Sequence, residues 1–130
     1  MKKSWKYCIY TSKVAELYVE YMHPSEQNLT FAIFIKSYDF SGMHNFCVRK
    51  DYLQEKIKEL RDMDKSHTGA CRICDGDSDS FINIEFERHN LRVNGQIGGT
   101  HNDNYMFFSF TADRTLLGLC ANILRDFVAV

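Results

Sequence analysis

Phe81-Ile82-Asn83-Ile84-Glu85-Phe86-Glu87, then Arg88-His89-Asn90, then Leu91-Arg92-Val93-Asn94-Gly95-Gln96-Ile97, alternates apolar and polar residues with a period of two on either side of a short polar turn. Side chains of a strand point to opposite faces in succession, so this pattern predicts an antiparallel hairpin. Ile82, Ile84 and Phe86 share one face, and Leu91, Val93 and Ile97 continue it across the turn. One face should cover a core and the other meet water.

Outward from this hairpin the β signal continues in both directions. Residues 105–110 (YMFFSF) predict a strand with Phe108 and Phe110 on one face and Phe107 on the other. Residues 68–74 predict a shorter one before the hairpin. Further upstream, residues 29–35 are apolar at nearly every position, which suits a strand buried on both faces near the middle of a sheet. Phe46-Cys47-Val48 is expected to return beside it after a turn through Ser41-Gly42. Residues 14–22 fit both a helical stripe and strand alternation; their Val and Tyr content makes a strand the expectation.

Two segments carry helical spacing. Asp51 followed by Gln54 resembles a capping box, and Leu53, Ile57 and Leu60 then share a face of a helix running to about Met63. Asp113 is placed to cap a second helix, in which Leu116, Leu117, Cys120, Ile123, Leu124 and Phe127 recur at i, i+3 and i+4; Gly118 is its weak point. The element order is then four strands, a helix, four strands, a helix. That defines an α+β domain with a mainly antiparallel sheet of roughly seven or eight strands and two amphipathic helices.

The chain of 130 residues is long enough for one domain with one packed core and no staples. It is 45% hydrophobic and 25% charged with a single proline, Pro24, which excludes collagen-like, disordered and disulfide-scaffold classes. There is no sequence repeat. Sixteen basic against seventeen acidic residues give a net charge of −1, so nucleic acid is not expected as a partner. Residues 1–65 carry 11 basic and 9 acidic side chains and residues 66–130 carry 5 and 8, a mild acidic bias toward the C-terminus. The basic start has no uninterrupted apolar run behind it, and no stretch is long enough to span a bilayer. Five cysteines at irregular spacing then suggest reduced thiols in a cytoplasm.

Motifs that carry chemistry are incomplete. Cys71-Arg72-Ile73-Cys74 has CxxC spacing, but on a strand the two thiols point to opposite faces and no second pair completes a zinc site. Asp75-Gly76-Asp77-Ser78-Asp79 starts like a calcium loop, yet its sixth residue is Ser80 and its twelfth is Phe86, so a solvated turn is the better reading. Gly95 to Gly99 lacks the lysine of a phosphate loop and should give backbone freedom at a strand end. His23, His44, His67, His89 and His101 all fall in expected loops, and no nucleophile signature accompanies them. No catalytic residue, metal or other cofactor is therefore expected. Tyr7, Tyr10, Tyr18, Tyr21 and Tyr38 offer a polar aromatic edge to one exposed sheet face, a composition suited to protein binding.

Ser37-Tyr38-Asp39-Phe40-Ser41-Gly42, Phe46 to Val48, the helix from Asp51 with Leu53 and Leu60, Thr68-Gly69-Ala70, the strand Phe81 to Phe86, and Phe107-Phe108-Ser109-Phe110-Thr111-Ala112-Asp113-Arg114-Thr115-Leu116 before a final helix together resemble the WapI-type immunity proteins of bacterial polymorphic toxin systems. The resemblance covers residues 29–127. It implies a non-enzymatic protein that binds and blocks a cognate toxin; a monomer or homodimer away from membranes is expected, since no apolar stretch spans a bilayer. No contact residue transfers with it. Against a basic toxin site the densest acidic group, Asp75, Asp77, Asp79, Glu85 and Glu87, is the candidate contact surface. Two rivals stand beside this reading: an assembly domain pairing through a strand edge or the tyrosine-rich face, and a metal- or thiol-dependent enzyme using Cys71 and Cys74.

Overall fold

The computed structural model describes residues 6–130. The basic residues at positions 2 and 3 that entered the reading of the N-terminus lie outside them. Four strands, β1 (Lys6–Thr11), β2 (Ala15–Pro24), β3 (Asn28–Ser37) and β4 (Phe40–Arg49), lead into α1 (Lys50–Ser66). Four more, β5 (Ala70–Cys74), β6 (Phe81–Glu87), β7 (Asn90–Ile97) and β8 (Met106–Ala112), lead into α2 (Thr115–Ala129), with a short 3-10 turn at Thr100–Asn102 between β7 and β8. The fold is α+β, as expected. Its strands divide into two antiparallel meanders of four, β1-β2-β3-β4 (sheet A) and β5-β6-β7-β8 (sheet B). The same ββββα unit is thus used twice, although no repeat is visible in the sequence. Among the described residues no helix is long and apolar enough to cross a membrane.

The deciding hairpin pairs Ile84 with Val93 and Phe86 with Leu91. Several boundaries differ from expectation for local reasons. The turn between β3 and β4 lies at Tyr38-Asp39, not Ser41-Gly42: Tyr38 takes a left-handed φ of 57° and its N–H donates to the Val14 carbonyl at 2.6 Å. That contact with the neighbouring turn outweighs the usual preference for glycine. Helix α1 starts at Lys50, so Asp51 sits in its first turn, bonded to Arg49 and the Tyr52 N–H, rather than closing a capping box. The helix ends at His67, which adopts φ 58° and returns its N–H to the Met63 carbonyl at 2.8 Å. At α2 the N-cap is Arg114, and Asp113 one residue earlier accepts the Thr115 N–H through Oδ1 at 3.0 Å, so the expected carboxylate bond to the helix start is made from just outside it. Strand β3 is central and buried mainly on one face. Its Leu29, Phe31, Ile33 and Ile35 are buried; on the other face Ala32 is buried, Thr30 and Phe34 are half-buried and Lys36 is exposed.

One core joins both sheets and both helices. Phe31 stacks on Phe46 with ring centres 5.9 Å apart, and Phe127 of α2 reaches Tyr7, Tyr21 and Phe31 of sheet A at 5.4 to 6.1 Å. Tyr10 stacks on Phe110 of sheet B at 5.8 Å. Three of the five tyrosines expected on an exposed face, Tyr7, Tyr10 and Tyr21, therefore pack against the core. The Tyr21 hydroxyl is buried without a hydrogen-bond partner, and burial holds its phenol above the ordinary value. An unsatisfied buried hydroxyl costs about 1 to 3 kcal/mol. Tyr21→Phe is therefore expected to stabilise the protein by about 1 kcal/mol in urea unfolding, and a loss of stability would mean that the hydroxyl has a partner.

Candidate protein-binding surface

The acidic candidates do not act as one group. Asp75 follows β5 and is buried, its carboxylate turned toward β4: Oδ1 accepts the Cys47 N–H at 3.0 Å, and Oδ2 accepts the Ser78 hydroxyl at 2.7 Å and meets His44 Nε2 at 2.9 Å. Gly76 adds a backbone bond to the Cys47 carbonyl at 2.9 Å. Burial alone would raise the Asp75 pKa, but the bonds from Ser78, the Cys47 N–H, His44 and the Asp77 N–H outweigh it and hold it below the ordinary carboxylate value. This residue joins the two sheets and is corrected from contact residue to internal clamp. Asp79 is exposed but committed to holding the turn after β7, accepting the Thr100 hydroxyl at 2.7 Å, the Thr100 N–H at 3.0 Å and the Gln96 amide at 2.9 Å; these bonds, Thr100 first, lower its pKa. Glu87 is paired with Arg92, whose hydrogen bonds lower its pKa, and half-buried Glu85 accepts from Asn94. Only Asp77 presents an exposed carboxylate for which no side-chain bond is seen.

His44, expected in a loop, lies on β4 with Asp75 and Ser78 around it. The three residue types are those of a nucleophile relay, but the arrangement is different. A relay uses one imidazole nitrogen for the hydroxyl and the other for the carboxylate. Here the same Nε2 meets both, at 3.2 Å and 2.9 Å, and the serine proton is given to the carboxylate. The cluster is a hydrogen-bonded brace. Cys71 points into the core and Cys74 out of it, as strand alternation requires. Burial first, then the charge of Glu59, pushes the Cys71 thiol up to about 12; burial does the same for Cys120. Such thiols are weak nucleophiles. Among the described residues no three His, Cys, Asp or Glu side chains are placed to hold a metal ion.

The face that stands out is made of side chains the core does not use. Strands β4 and β8 are edge strands of their sheets; Gly42 of β4 lies beside Met106 of β8, and Ser37 at the end of β3 donates to the Ser109 carbonyl of β8. Along this seam Phe40 is 72% exposed, Phe107 71%, Tyr38 62%, Met43 50% and Tyr105 46%. Tyr105 and Phe107 hold each other edge to face at 5.9 Å. Met43 also borders an open groove of about 670 Å³ on the outer face of sheet A, lined by Lys6, Glu16, Tyr18, Phe34 and Lys36. A smaller cavity of about 330 Å³ connects Met43 with Tyr105 across the seam. Strand alternation set Phe107 on the face opposite Phe108 and Phe110, and the structure leaves it exposed.

The described architecture defines a class, the two-sheet α+β protein in which each four-stranded meander ends in a helix. The same fold occurs in the crystal structure of WHY1 from Arabidopsis thaliana, which superposes with a TM-score of 0.64 at 9% identity over 98% of this chain and 85% of that one. No family model matches the chain, and no curated protein does. WHY1 is a nucleic-acid-binding protein, and since the fold is shared, the exclusion of nucleic acid as a partner, drawn from net charge alone, is withdrawn. Net charge averages over the whole surface, whereas a binding face is set by its own residues, and sheet A carries Lys6 and Lys36 beside aromatic rings.

Proposed function

We propose that the chain is a cytoplasmic immunity protein that binds a cognate toxin and blocks it by covering its surface. The observation that supports this reading is the exposed pair Tyr105 and Phe107, packed edge to face and sharing a cavity with exposed Met43 of β4, together with exposed Phe40 at the start of that strand. Exposed aromatic clusters of this kind are characteristic of protein interfaces, where a few of them supply most of the affinity. Among the residues that resemble the immunity family, Leu53, Leu60 and Leu116 are buried scaffold positions, whereas Phe40 and Phe107 are exposed.

The direct test is co-expression with the toxic C-terminal region encoded by the neighbouring upstream frame, which immunity requires. That region should arrest growth alone and be tolerated with this chain. Phe40→Ser and Phe107→Ser are each expected to weaken toxin binding at least about tenfold in calorimetry while leaving thermal unfolding within about 2 °C, as surface substitutions do. Rescue unaffected by both changes would place the interface elsewhere. Binding of a single-stranded oligonucleotide through the same residues, with no effect on the toxin, would replace the immunity reading by a nucleic-acid one.

A further inference from the structure

The cavity at the seam of the two sheets is bounded by Gly42 and Met43 of β4, by Gly98 just after β7, and by Asp103, Tyr105 and Met106 where the chain enters β8. Among the described residues that line it, Asp103 carries the one charge. Lys36, the strand partner of Ser41 at its rim, lines the neighbouring groove instead and has Glu16 opposite it there. Asp103 closes the short 3-10 turn through its backbone: its φ is 58° and its N–H meets the Thr100 carbonyl at 3.2 Å. Aspartate is among the residues that adopt this left-handed backbone readily. Its side chain is not needed for the turn. Asp79 commits both oxygens to Thr100 and Gln96, whereas the exposed Asp103 carboxylate has no hydrogen bond or ion pair among the described residues.

Lining the same cavity are a tyrosine ring and two thioethers. Phe107 holds the Tyr105 ring edge to face at 5.9 Å, and Gly42 lets Met106 approach β4, since a Cβ there would lie 3.0 Å from the Met106 Sδ. A carboxylate beside an aromatic ring suits a guanidinium, which pairs with carboxylate oxygens through its N–H fork and stacks its flat face on a ring. An ammonium lacks the flat face, and a phosphate would be repelled by Asp103.

We infer that the seam cavity receives an arginine side chain projecting from the protein partner, with its guanidinium against Asp103 and Tyr105 and its stem against Met43 and Met106. The inference rests on the protein-binding reading and specifies the chemistry of its partner. Met43 and Tyr105 belong both to the exposed apolar cluster and to the cavity, so one partner can cover both.

The test titrates a capped Gly-Arg-Gly peptide into the intact protein and follows the Tyr105 ring and the Met43 and Met106 methyl resonances by NMR, with the uncharged citrulline peptide as control. Saturable shifts of these resonances are expected for arginine alone. Asp103→Asn removes the charge, keeps the size and suits the left-handed backbone, so it should weaken peptide binding about threefold with thermal unfolding unchanged; Tyr105→Leu should weaken it by a similar factor. Equal binding of the citrulline peptide, or arginine binding untouched by Asp103→Asn, would overturn the inference. So would an oligothymidylate that shifts the same resonances and binds more tightly to Asp103→Asn, because the cavity would then be a nucleic-acid contact opposed by its own carboxylate. No toxin enters this titration, so its failure leaves the immunity reading to the co-expression result.

Discussion

Gly95→Ala is expected to destabilise the protein by about 3 kcal/mol or more, the upper end of what overpacking costs. Gly95 lies on β7 opposite Ile82 on one side and Phe108 on the other, in the middle of sheet B. A Cβ at this position would overlap the Phe81 carbonyl oxygen and lie 3.1 Å from the Ile82 Cα. Both neighbours are backbone, which cannot rotate aside as a side chain would. Relief requires β6 to move away from β7, and the pairing that holds Ile82, Ile84 and Val93 in the core weakens with it. Urea unfolding measures the loss, and amide exchange should show faster opening at Ile82 and Ile84 than in β2 or β3. A cost below about 1 kcal/mol would mean that β6 and β7 are paired in another register.

The role of this glycine also marks where sequence reasoning stops. Period-two alternation located β6, β7 and β8 and their inward residues, because each strand turns one apolar face to the core; the opposite face is not wholly wet, since Asn83 and Gln96 are buried there. The same logic separated Cys71 from Cys74. It predicted that glycine frees the backbone near a strand end, but a close approach between neighbouring strands depends on which strands are neighbours, and alternation does not report that. Residues 29–35 show the complementary error. Their continuous apolar run reads as a strand buried on both faces, while Phe34 is half-buried on the outer face because Lys6 lies over its ring. An aromatic ring covered by a lysine and one covered by the core look alike in sequence. Tyr38 was misplaced from its turn for a related reason, since the hydrogen bond that holds its left-handed backbone comes from Val14, on the neighbouring hairpin.

The candidate surface was less legible than the fold. Solvated acidic side chains can be counted along a chain, and residues 75–87 held the densest set. Their partners lie elsewhere: Thr100 and Gln96 for Asp79, Arg92 for Glu87, and Cys47 and His44 for Asp75. Charge density in sequence therefore measured how much internal bonding these loops need. The exposed aromatic side chains are the reverse case. Phe40 looks like a core residue by type and only the structure shows that it remains outside, whereas alternation had already separated Phe107 from Phe108 and Phe110.

Asp75→Ala should cost about 3 kcal/mol near neutral pH, because it strips the Cys47 N–H and the Ser78 hydroxyl of their acceptor and removes the tie between β4 and the loop after β5. The pH dependence identifies the carboxylate as the cause. Its folded pKa is depressed, so its contribution is complete above the unfolded value of about 4 and is lost as pH falls through the lower folded value. Urea midpoints of the wild type and Asp75→Ala should therefore be far apart at about pH 7 and draw together toward about pH 3. Asp77→Ala, two residues on and exposed, should change stability by less than about 0.5 kcal/mol at either pH. If Asp75→Ala left stability intact and reduced toxin binding instead, Asp75 would belong to the contact surface and the clamp between the sheets would have to be assigned to the Gly76 backbone bond alone.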